Sequence, residues 1–257
     1  MQYHDRSRLL LSIESHTQSR PLKINVIIVV QNGERYLDRA IESAIEQTHP
    51  PDRIIVVDGC STDNTAQIAK SYSEVCYLQQ QGKGLANARN TGIDTATGEL
   101  LAFLDADDYW SRDKLAIQLE SFIQNPAIQY SYANVKLFLE PGCELRHGFD
   151  RQQFDRAQIG RTPGTLVARK SLFDRIGKFN PNFTIGCDVE WFTRAKDYQI
   201  AAAFVPQVLL YKRVHDTNLS SNVKTNREEL LTVIKQSLHR QRQLMMVDLN
   251  AQNPAYY

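Results

Sequence analysis

The sequence predicts an α/β fold with a mixed, mostly parallel central sheet flanked by helices. Short β-branched runs alternate with helical apolar stripes over the first hundred residues, a pattern typical of parallel strands joined by crossover helices. The second observation is residues 98–110, where five apolar residues run directly into three carboxylates within four positions. Like charges at the end of a buried strand repel each other and resist desolvation. A cation or ligand at this end, where open α/β sheets bind ligands, would explain them.

Composition and charge narrow the class of protein. The 257 residues are 42% hydrophobic and 23% charged, and the formal net charge is +1. These values are typical of a soluble globular protein and give no bulk attraction to nucleic acid, so we expect no nucleic acid partner. The apolar runs are strand-sized, and the N-terminus lacks the apolar core of a signal peptide. We expect no transmembrane segment and a cytoplasmic location, with peripheral attachment at the inner face of the membrane as the alternative.

The first half of the chain is predicted to alternate strands and helices. The strands are expected at residues 24–30, 53–57, 75–78 and 100–104, where β-branched and apolar residues cluster. The helices are expected near residues 37–45, 63–72, 85–93 and 114–124, where apolar residues recur at helical spacing. Pro50-Pro51 and Gly98 separate these units because neither residue type continues a regular element well.

The second half of the chain changes character. Strands are predicted at residues 128–139, 165–169, 201–205 and 208–214, and helices at 170–176, 188–198 and 225–246. The last helix is expected to be polar with an apolar stripe of Leu230, Ile234 and Leu238. We expect three segments: an N-terminal extension at residues 1–21, with a short helix near 6–14, one domain at 22–222 with halves at 22–112 and 113–222, and a C-terminal helix and tail at 223–257.

The three carboxylates after the fourth strand suit a hard divalent cation. Mg²⁺ and Mn²⁺ prefer oxygen ligands and often bridge phosphates. Asp105 and Asp107 directly follow the buried strand, so we expect this pair to bind the metal. Asp108 is instead expected to cap the helix that follows.

Several motifs occur in a fixed order between residues 22 and 222. They are residues 26–37 (VIIVVQNGERYL), 41–48 (IESAIEQT), 54–65 (IIVVDGCSTDNT), 82–84 (GKG), 88–93 (ARNTGI), 105–108 (DADD) and 176–179 (IGKF), then Asp188 with Arg194, and His215 with Asn218 and Ser220. A lone D-x-D is weak evidence, but this ordered series resembles the family 2 glycosyltransferases, which have the GT-A fold. The resemblance implies a Rossmann-like nucleotide-binding half at 22–112 that continues into an acceptor-side half at 113–222.

The resemblance also implies a chemistry. It implies a nucleotide-diphosphate sugar donor, a divalent metal (Mn²⁺ or Mg²⁺) on Asp105 and Asp107, and transfer with inversion at the anomeric carbon. A UDP-sugar is the first expectation. Gln31 stands where the family often has a tyrosine that can stack on the base, and Gly59 replaces the second aspartate of the usual acidic pair. Donors that carry dTDP or GDP therefore remain open.

Asp188 matches the position of the family's general base. An inverting transfer needs a base on the ring face opposite the leaving group. Asp188 is equally expected to cap the helix that follows, and capping N–H groups would lower its pKa, so an effective base requires compensating desolvation. Glu190 is the reserve candidate, and Trp191 and Arg194 are expected to pack or orient this helix.

The resemblance places the donor against six residues: Gln31, Asn32, Glu34, Asp58, Lys83 and Asp105. Each has a structural alternative, such as a turn-forming aspartate for Asp58, a favourable first-turn charge for Glu34 and a solvated surface charge for Lys83. His215 is expected to reach the metal from a late loop, although most lone histidines are not ligands.

Two other classes remain for comparison. The aspartyl-phosphate phosphatases and the nucleotide-sugar pyrophosphorylases need different residues around their first strands, so the sequence disfavours both. A non-catalytic sugar-nucleotide-binding or scaffold protein would bind the donor without turnover.

The acceptor is expected to be a glycan or a lipid-linked molecule. The C-terminal helix is expected to lie on the surface or pack in a homodimer rather than bind a membrane.

Overall fold

The structure is a computed structural model that describes residues 21–144, 150–216, 218 and 223–252. The short helix expected near residues 6–14 lies outside the described residues. The strands are β1 (Ile24–Val30), β2 (Arg53–Asp58), β3 (Val75–Gln79), β4 (Leu100–Asp105), β5 (Tyr109–Trp110), β6 (Tyr130–Leu139), β7 (Gln158–Ile159), β8 (Val167–Arg169) and β9 (Ala202–Val214). The helices are α1 (Leu37–Ile45), α2 (Thr65–Ser71), α3 (Leu85–Thr95), α4 (Lys114–Gln124), α5 (Gln152–Asp155), α6 (Lys170–Ile176), α7 (Cys187–Asp197) and α8 (Val223–Gln252).

One sheet joins both halves of the chain. Its strand order is β3-β2-β1-β4-β8-β6-β9-β5, with β7 paired to β6. The first four strands of this order are parallel, whereas β8 runs antiparallel to both β4 and β6. The strands β6 and β9 pair in parallel over most of their length, and β5 pairs antiparallel to β9. The predicted α/β fold with a mixed, mostly parallel sheet is confirmed.

Two apolar layers hold the sheet between its helices. Successive residues of β1 face opposite sides, so that Ile27 packs in the layer that contains residues of α3, α6 and α7, and Ile28 in the layer that contains residues of α1 and α4. Both side chains are fully buried, and each such burial contributes about 1.5–3 kcal/mol. Gly92 lets α3 approach β1, because a Cβ there would lie 2.4 Å from Ile27. A strand buried on both faces explains the unbroken apolar run.

The apolar stripe of α8 lies on an exposed face of the helix. Leu230, Ile234 and Leu238 are 50%, 47% and 51% exposed. Val233 and Ser237 face the protein body instead and are almost fully buried. Val233 lies in an apolar layer that also contains residues of α7, and the hydroxyl of Ser237 donates to Asp197 of α7 at 2.8 Å, so apolar burial and hydrogen bonding together orient this helix.

Two predictions need correction. The two strands expected at residues 201–205 and 208–214 form the single strand β9, because its pairing with β6 continues across an irregularity near Ala133 and Asn134. The short strands β5 and β7 are additions that the sequence does not predict. None of the helices in the described ranges combines the length and apolarity needed to cross a bilayer.

Candidate active site

The candidate active site lies where the carboxyl ends of β1, β2 and β4 meet the carboxyl end of β9. β4 ends at Asp105, and the following turn continues into β5, which pairs with β9 through Tyr109 and Tyr211. This pairing brings Lys212, Arg213 and His215 next to the acidic turn. The end of β9 thus supplies cations and an imidazole to carboxylates that precede it by about a hundred residues.

Asp107 and His215, both predicted metal ligands, contact each other directly. The carboxylate oxygen Oδ2 of Asp107 lies 3.0 Å from Nε2 of His215 and 3.1 Å from the amide nitrogen of Asn218. Burial acts to raise the pKa of Asp107, but the hydrogen bond with His215 and the charge of Lys212 outweigh it, so this pKa lies below its usual range. Asp107 is therefore an ionised carboxylate next to an imidazole, and its metal-binding role stays a prediction.

Asp105 is held by cations. Its Oδ1 accepts a hydrogen bond from Nη2 of Arg89 at 2.8 Å, and its Oδ2 lies 4.0 Å from Nζ of Lys212. Arg89 is 2% exposed, and a buried guanidinium of this kind needs an anionic partner. The second nitrogen of Arg89 contacts Sγ of Cys187 at 3.3 Å. Arg89 therefore connects the end of β4 to the residue that precedes Asp188.

Asp108 does not cap α4, which corrects the prediction. It is 2% exposed, and its Oδ1 accepts a hydrogen bond from the backbone N–H of Arg213 at 2.8 Å. Its Oδ2 is buried, has no hydrogen bond and lies 3.5 Å from Nζ of Lys212. Burial, with Asp107 and Asp105 nearby, holds the pKa of Asp108 well above its usual range despite Lys212. The fold directs this side chain across to β9 instead of forward along the chain.

Asp188 is the second residue of α7 and is half-buried. Gly186 is the N-cap residue of α7, so the expected capping role of Asp188 is wrong. The Oδ1 of Asp188 accepts a hydrogen bond from the N–H of Val189 at 2.8 Å. Burial raises the pKa of Asp188 above its usual range, although Arg89 and Val189 act in the opposite direction. The desolvation that an effective base requires is therefore present.

The other residues of α7 stabilise the helix. Glu190 is 2% exposed and pairs with Arg194 at 2.9 Å and with Arg240 at 3.4 Å. Because both ion pairs hold the carboxylate of Glu190, this residue stabilises α7 and is disfavoured as the reserve candidate for the general base. Arg194 also donates to the carbonyl oxygens of Ile176 and Lys178. Trp191 is fully buried in the apolar layer on this side of the sheet, so both residues orient α7 as expected.

The turns after β1 and β2 are bound to each other. Asp58 is 1% exposed, and its carboxylate accepts hydrogen bonds from Ser61 and from the hydroxyl of Tyr77. Asn32 and Glu34 accept hydrogen bonds from Thr62 and Asn64, respectively. Gln31 donates to the carbonyl of Gly59 at 2.9 Å. The structural alternative for Asp58 is thus present, and its donor-binding role stays a prediction.

Lys83 lies in an exposed turn between Gly82 and Gly84. Both glycines have a positive φ, +87° and +89°, which favours glycine at these positions. The side chain of Asn87 donates to the carbonyl of Lys83 at 2.7 Å. Within the described part of the chain the ammonium of Lys83 forms no ion pair, and its donor-binding role also stays a prediction.

Three residues of the site are missing from the sequence-based candidates. Lys212 and Arg213 lie near the carboxyl end of β9, and Arg89 lies on the buried face of α3. The guanidinium of Arg213 donates to the backbone carbonyl of Asp107 at 2.9 Å and lies 4.6 Å from the ring centre of Tyr36. The signal available in the sequence was two adjacent cations at the end of an otherwise apolar strand candidate.

Comparisons with known proteins assign the family. A model described as glycosyl transferase family 2 matches residues 25–181. This match covers more than half of the chain, and the protein belongs to glycosyl transferase family 2.

Curated relatives carry names that agree with this family. The teichuronic acid biosynthesis glycosyltransferase TuaG of Bacillus subtilis, whose assignment is putative in its name, is 36% identical over 50% of this chain and 52% of its own length. An uncharacterized glycosyltransferase of Rickettsia typhi is 29% identical over 87% of this chain and 74% of its own length. Chondroitin synthase of Pasteurella multocida is 26% identical over 91% of this chain but 25% of its own length. The chain thus matches about half the length of TuaG and a quarter of the synthase.

Solved structures share the GT-A fold. TarS of S. aureus in complex with UDP-GlcNAc superposes with a TM-score of 0.66 at 20% identity, covering 85% of this chain and 66% of that chain. The mannosyltransferase PcManGT of Pyrobaculum calidifontis, in complex with GDP-Man and Mn²⁺, gives a TM-score of 0.66 at 20% identity, covering 86% and 65%. At this identity the likeness shows the fold alone, and the GT-A prediction is confirmed.

Proposed function

We propose that this protein is an inverting glycosyltransferase that moves a sugar from a nucleoside-diphosphate donor to an acceptor hydroxyl. The observation that carries the proposal is the pairing of Asp107 with His215 at one end of a site whose other end holds Asp188. Arg89 joins the two ends by contacting both Asp105 and Cys187. The family supports the reaction type, and the named donors of two structural neighbours support a nucleotide sugar.

The residues present fit a divalent cation. Oδ2 of Asp107 lies 3.0 Å from Nε2 of His215. The carboxylate oxygen is a suitable ligand for Mn²⁺ or Mg²⁺, whereas the imidazole nitrogen would suit a transition metal such as Mn²⁺ better than Mg²⁺. No group of three or more His, Cys, Asp or Glu side chains suited to a metal occurs among the described residues. Such cations are often held by one or two protein groups together with substrate phosphates. When bound, the cation would offset the negative charge of the leaving diphosphate.

Asp105 takes the donor side of this arrangement. Its carboxylate is held by Arg89 and lies near Lys212, which leaves it less able to bind the cation than Asp107. We assign Asp105 to the donor and keep it as a weaker candidate for a metal ligand. Lys212 offsets the charge of Asp105 and Asp108, so that a diphosphate can enter a site that is rich in carboxylates.

Asp188 acts as the general base in this proposal. Its raised pKa favours proton transfer from an acceptor hydroxyl, since catalytic bases work best when their pKa approaches the working pH. It lies at the start of α7 next to Cys187, and Arg89 contacts both Cys187 and Asp105. Inversion in one step requires the base to act on the sugar face opposite the leaving group.

The donor and acceptor are proposed only as classes. Gln31, Asn32, Glu34, Asp58 and Lys83 surround the edge of the sheet where the base and ribose of the donor would lie. We keep a UDP-sugar as the first expectation, with dTDP and GDP as alternatives. The acceptor is a glycan or a lipid-linked molecule in this proposal, and the enzyme works in the cytoplasm or at the inner face of the membrane.

A homodimer through α8 is part of the proposal. Leu231, Ile234, Leu238 and Met245 are 52%, 47%, 51% and 63% exposed. They occupy four of five successive core positions of a heptad pattern, and the fifth is Gln241, whose amide donates to Asp197. A seam of this kind is complementary to itself, so we commit to a second copy of this chain as the partner. Light scattering should report a dimer, and the double change L231E/L238E should give a monomer; a monomeric parent protein would contradict it.

Thermal stabilisation tests the central proposal. UDP, GDP, dTDP and their sugar conjugates should be compared with and without Mn²⁺, because a ligand that binds the folded state raises the melting temperature. A metal-dependent shift for one base is expected, together with sugar transfer or hydrolysis of that donor. Binding without any turnover would favour the non-catalytic alternative. An unchanged melting temperature with every nucleotide would contradict the proposal.

A further inference from the structure

The first turns of α8 contact the loop that leads into α7. The carboxylate of Glu229 accepts three backbone hydrogen bonds, from the N–H groups of Thr184 at 2.6 Å, Ile185 at 3.1 Å and Gly186 at 2.7 Å. Asp188 follows Gly186 by two residues. One side chain therefore binds three consecutive N–H groups of the segment that delivers Asp188.

The start of α7 favours a negative charge of this kind. The partial positive charge at a helix N-terminus attracts a nearby carboxylate, and Glu229 binds the three N–H groups that lead into the first turn. Gly186, the N-cap residue, has no side chain that could supply such a charge. Burial acts to raise the pKa of Glu229, but the hydrogen bonds from Gly186, Thr184 and Ile185 outweigh it and lower this pKa. Glu229 is thus a charged acceptor provided by another helix.

The contact between α7 and α8 does not depend on Glu229 alone. Asp197, at the far end of α7, accepts hydrogen bonds from Ser237 at 2.8 Å, Arg240 at 2.9 Å and Gln241 at 2.9 Å. Val233 is buried in the apolar layer that also contains α7 residues. A change at Glu229 should therefore release the loop before α7 without detaching α8.

The loop is held from two sides. Arg89 contacts Cys187 from the donor side, and Glu229 binds residues 184–186 from the side of α8. The helix α8 begins eight residues after His215. Glu229 therefore connects the chain that follows the metal-side histidine to the loop that carries the base.

We propose that Glu229 is a positioning residue for Asp188. The proposal rests on the assignment of Asp188 as the general base. Three hydrogen bonds to consecutive N–H groups restrict the loop, and the orientation of the Asp188 carboxylate depends on that loop. A displacement of about 1 Å at a reacting group can cost about 100-fold in rate, so the side chain acts on turnover without touching the substrate.

Hydrogen exchange tests the structural part. In Glu229→Gln the exchange of the backbone amides of residues 184–186 should become at least about tenfold faster. The carboxylate of glutamate offers two acceptor oxygens, whereas the amide of glutamine offers one, so hydrogen bonds to these N–H groups are lost. Glu228→Gln is the matched control, since Glu228 is the adjacent exposed carboxylate on the same helix. Equal exchange in Glu229→Gln and the parent protein would overturn the proposal.

Turnover tests the functional part. The probes are UDP-GlcNAc and GDP-mannose with Mn²⁺, with water as the acceptor and nucleotide release as the readout. Glu229→Gln should lower kcat about tenfold or more and leave the donor KM unchanged. It should also move the acid limb of the pH profile to lower pH, because a loosened loop hydrates Asp188 and a negative charge is lost. Glu229→Asp should restore part of kcat, and Glu228→Gln should match the parent.

The outcomes separate this inference from the proposed function. A purely structural role of Glu229 would lower the melting temperature and leave the acid limb in place, which contradicts positioning. Full activity of Asp188→Asn would remove the base assignment itself. Inactive Asp188→Asn together with an unaltered kcat and acid limb in Glu229→Gln would reject only the positioning role. If neither probe is turned over by the parent protein, unaltered exchange of residues 184–186 in Glu229→Gln would still overturn the proposal.

Discussion

Asp107, in the turn after β4, and Asp188, at the start of α7, lie in opposite electrostatic environments. Asp107 accepts hydrogen bonds from His215 and Asn218 and has a lowered pKa. Asp188 accepts one hydrogen bond, from Val189, and burial raises its pKa. The difference shows how one side-chain type can serve two roles, since an ionised carboxylate suits a cation and a carboxylate of raised pKa suits a proton acceptor.

The largest effect is expected from removal of the proposed general base, Asp188. Asp188→Asn should reduce turnover between about 100- and 10,000-fold, the range that general base catalysis contributes. Donor binding, measured by thermal shift, should persist because the change lies away from Asp107. Turnover near the parent level would contradict the base assignment.

The next largest effect is expected from loss of the proposed metal ligand, Asp107. Asp107→Asn should weaken Mn²⁺-dependent stabilisation by the nucleotide between about 10- and 100-fold in apparent affinity. Asp113→Asn is the matched control, because Asp113 is an exposed carboxylate with no capping hydrogen bond. Titration of Mn²⁺ at fixed nucleotide measures both variants. If the two variants behave alike, Asp107 does not hold the metal.

The pH dependence of turnover tests whether the pKa of Asp188 is raised. Asp188 must lose its proton to act as a base, so kcat should rise about tenfold per pH unit below the pKa of Asp188 and then level off. Because that pKa is raised, the limb should lie above the usual range of a carboxyl group. A pH profile at saturating donor measures it, and a limb at or below the usual range would reject the environment described for Asp188.

The smallest expected effect concerns a buried cation outside the site. Lys114 is fully buried, and burial lowers its pKa well below 10.5. The unfolded chain binds this proton more tightly, so the free energy of unfolding should rise with pH between the folded-state pKa and 10.5, by at most about 1.4 kcal/mol per unit. Lys114→Met should remove this slope without altering the acid limb of turnover.

Urea unfolding at several pH values measures the slope. The exposed Lys136 supplies the control, because Lys136→Met removes a solvated ammonium from β6. Identical slopes in the parent protein and Lys114→Met would show that Lys114 stays charged when buried.

Much of the first half could be predicted from the sequence. The runs that form β1, β2 and β4 are unbroken because both faces of these strands are covered by helices. The strands β5 and β7 have two residues each, too few to produce any periodicity. Their existence depends on pairing with β9 and β6, which is a tertiary event.

The periodicity of α8 illustrates the same limit. Helical spacing shows which side chains share a face, but not which face the protein covers. Leu238 is exposed and Ser237 is buried, because Ser237, Arg240 and Gln241 find a common partner in Asp197. That partner lies forty residues away in sequence.

The order of strands and helices, the resemblance to the family and the candidate functions of Asp107 and Asp188 could be predicted from local apolar runs and short motifs. The surroundings of these two carboxylates could not, because they depend on how the chain folds in space. The fold places Lys212 and His215 beside the β4 turn, Arg89 between the two ends of the site and Glu229 against the loop before Asp188. Hydrogen bonding, burial and Coulomb interactions depend on distance in space, and these partners are remote along the chain.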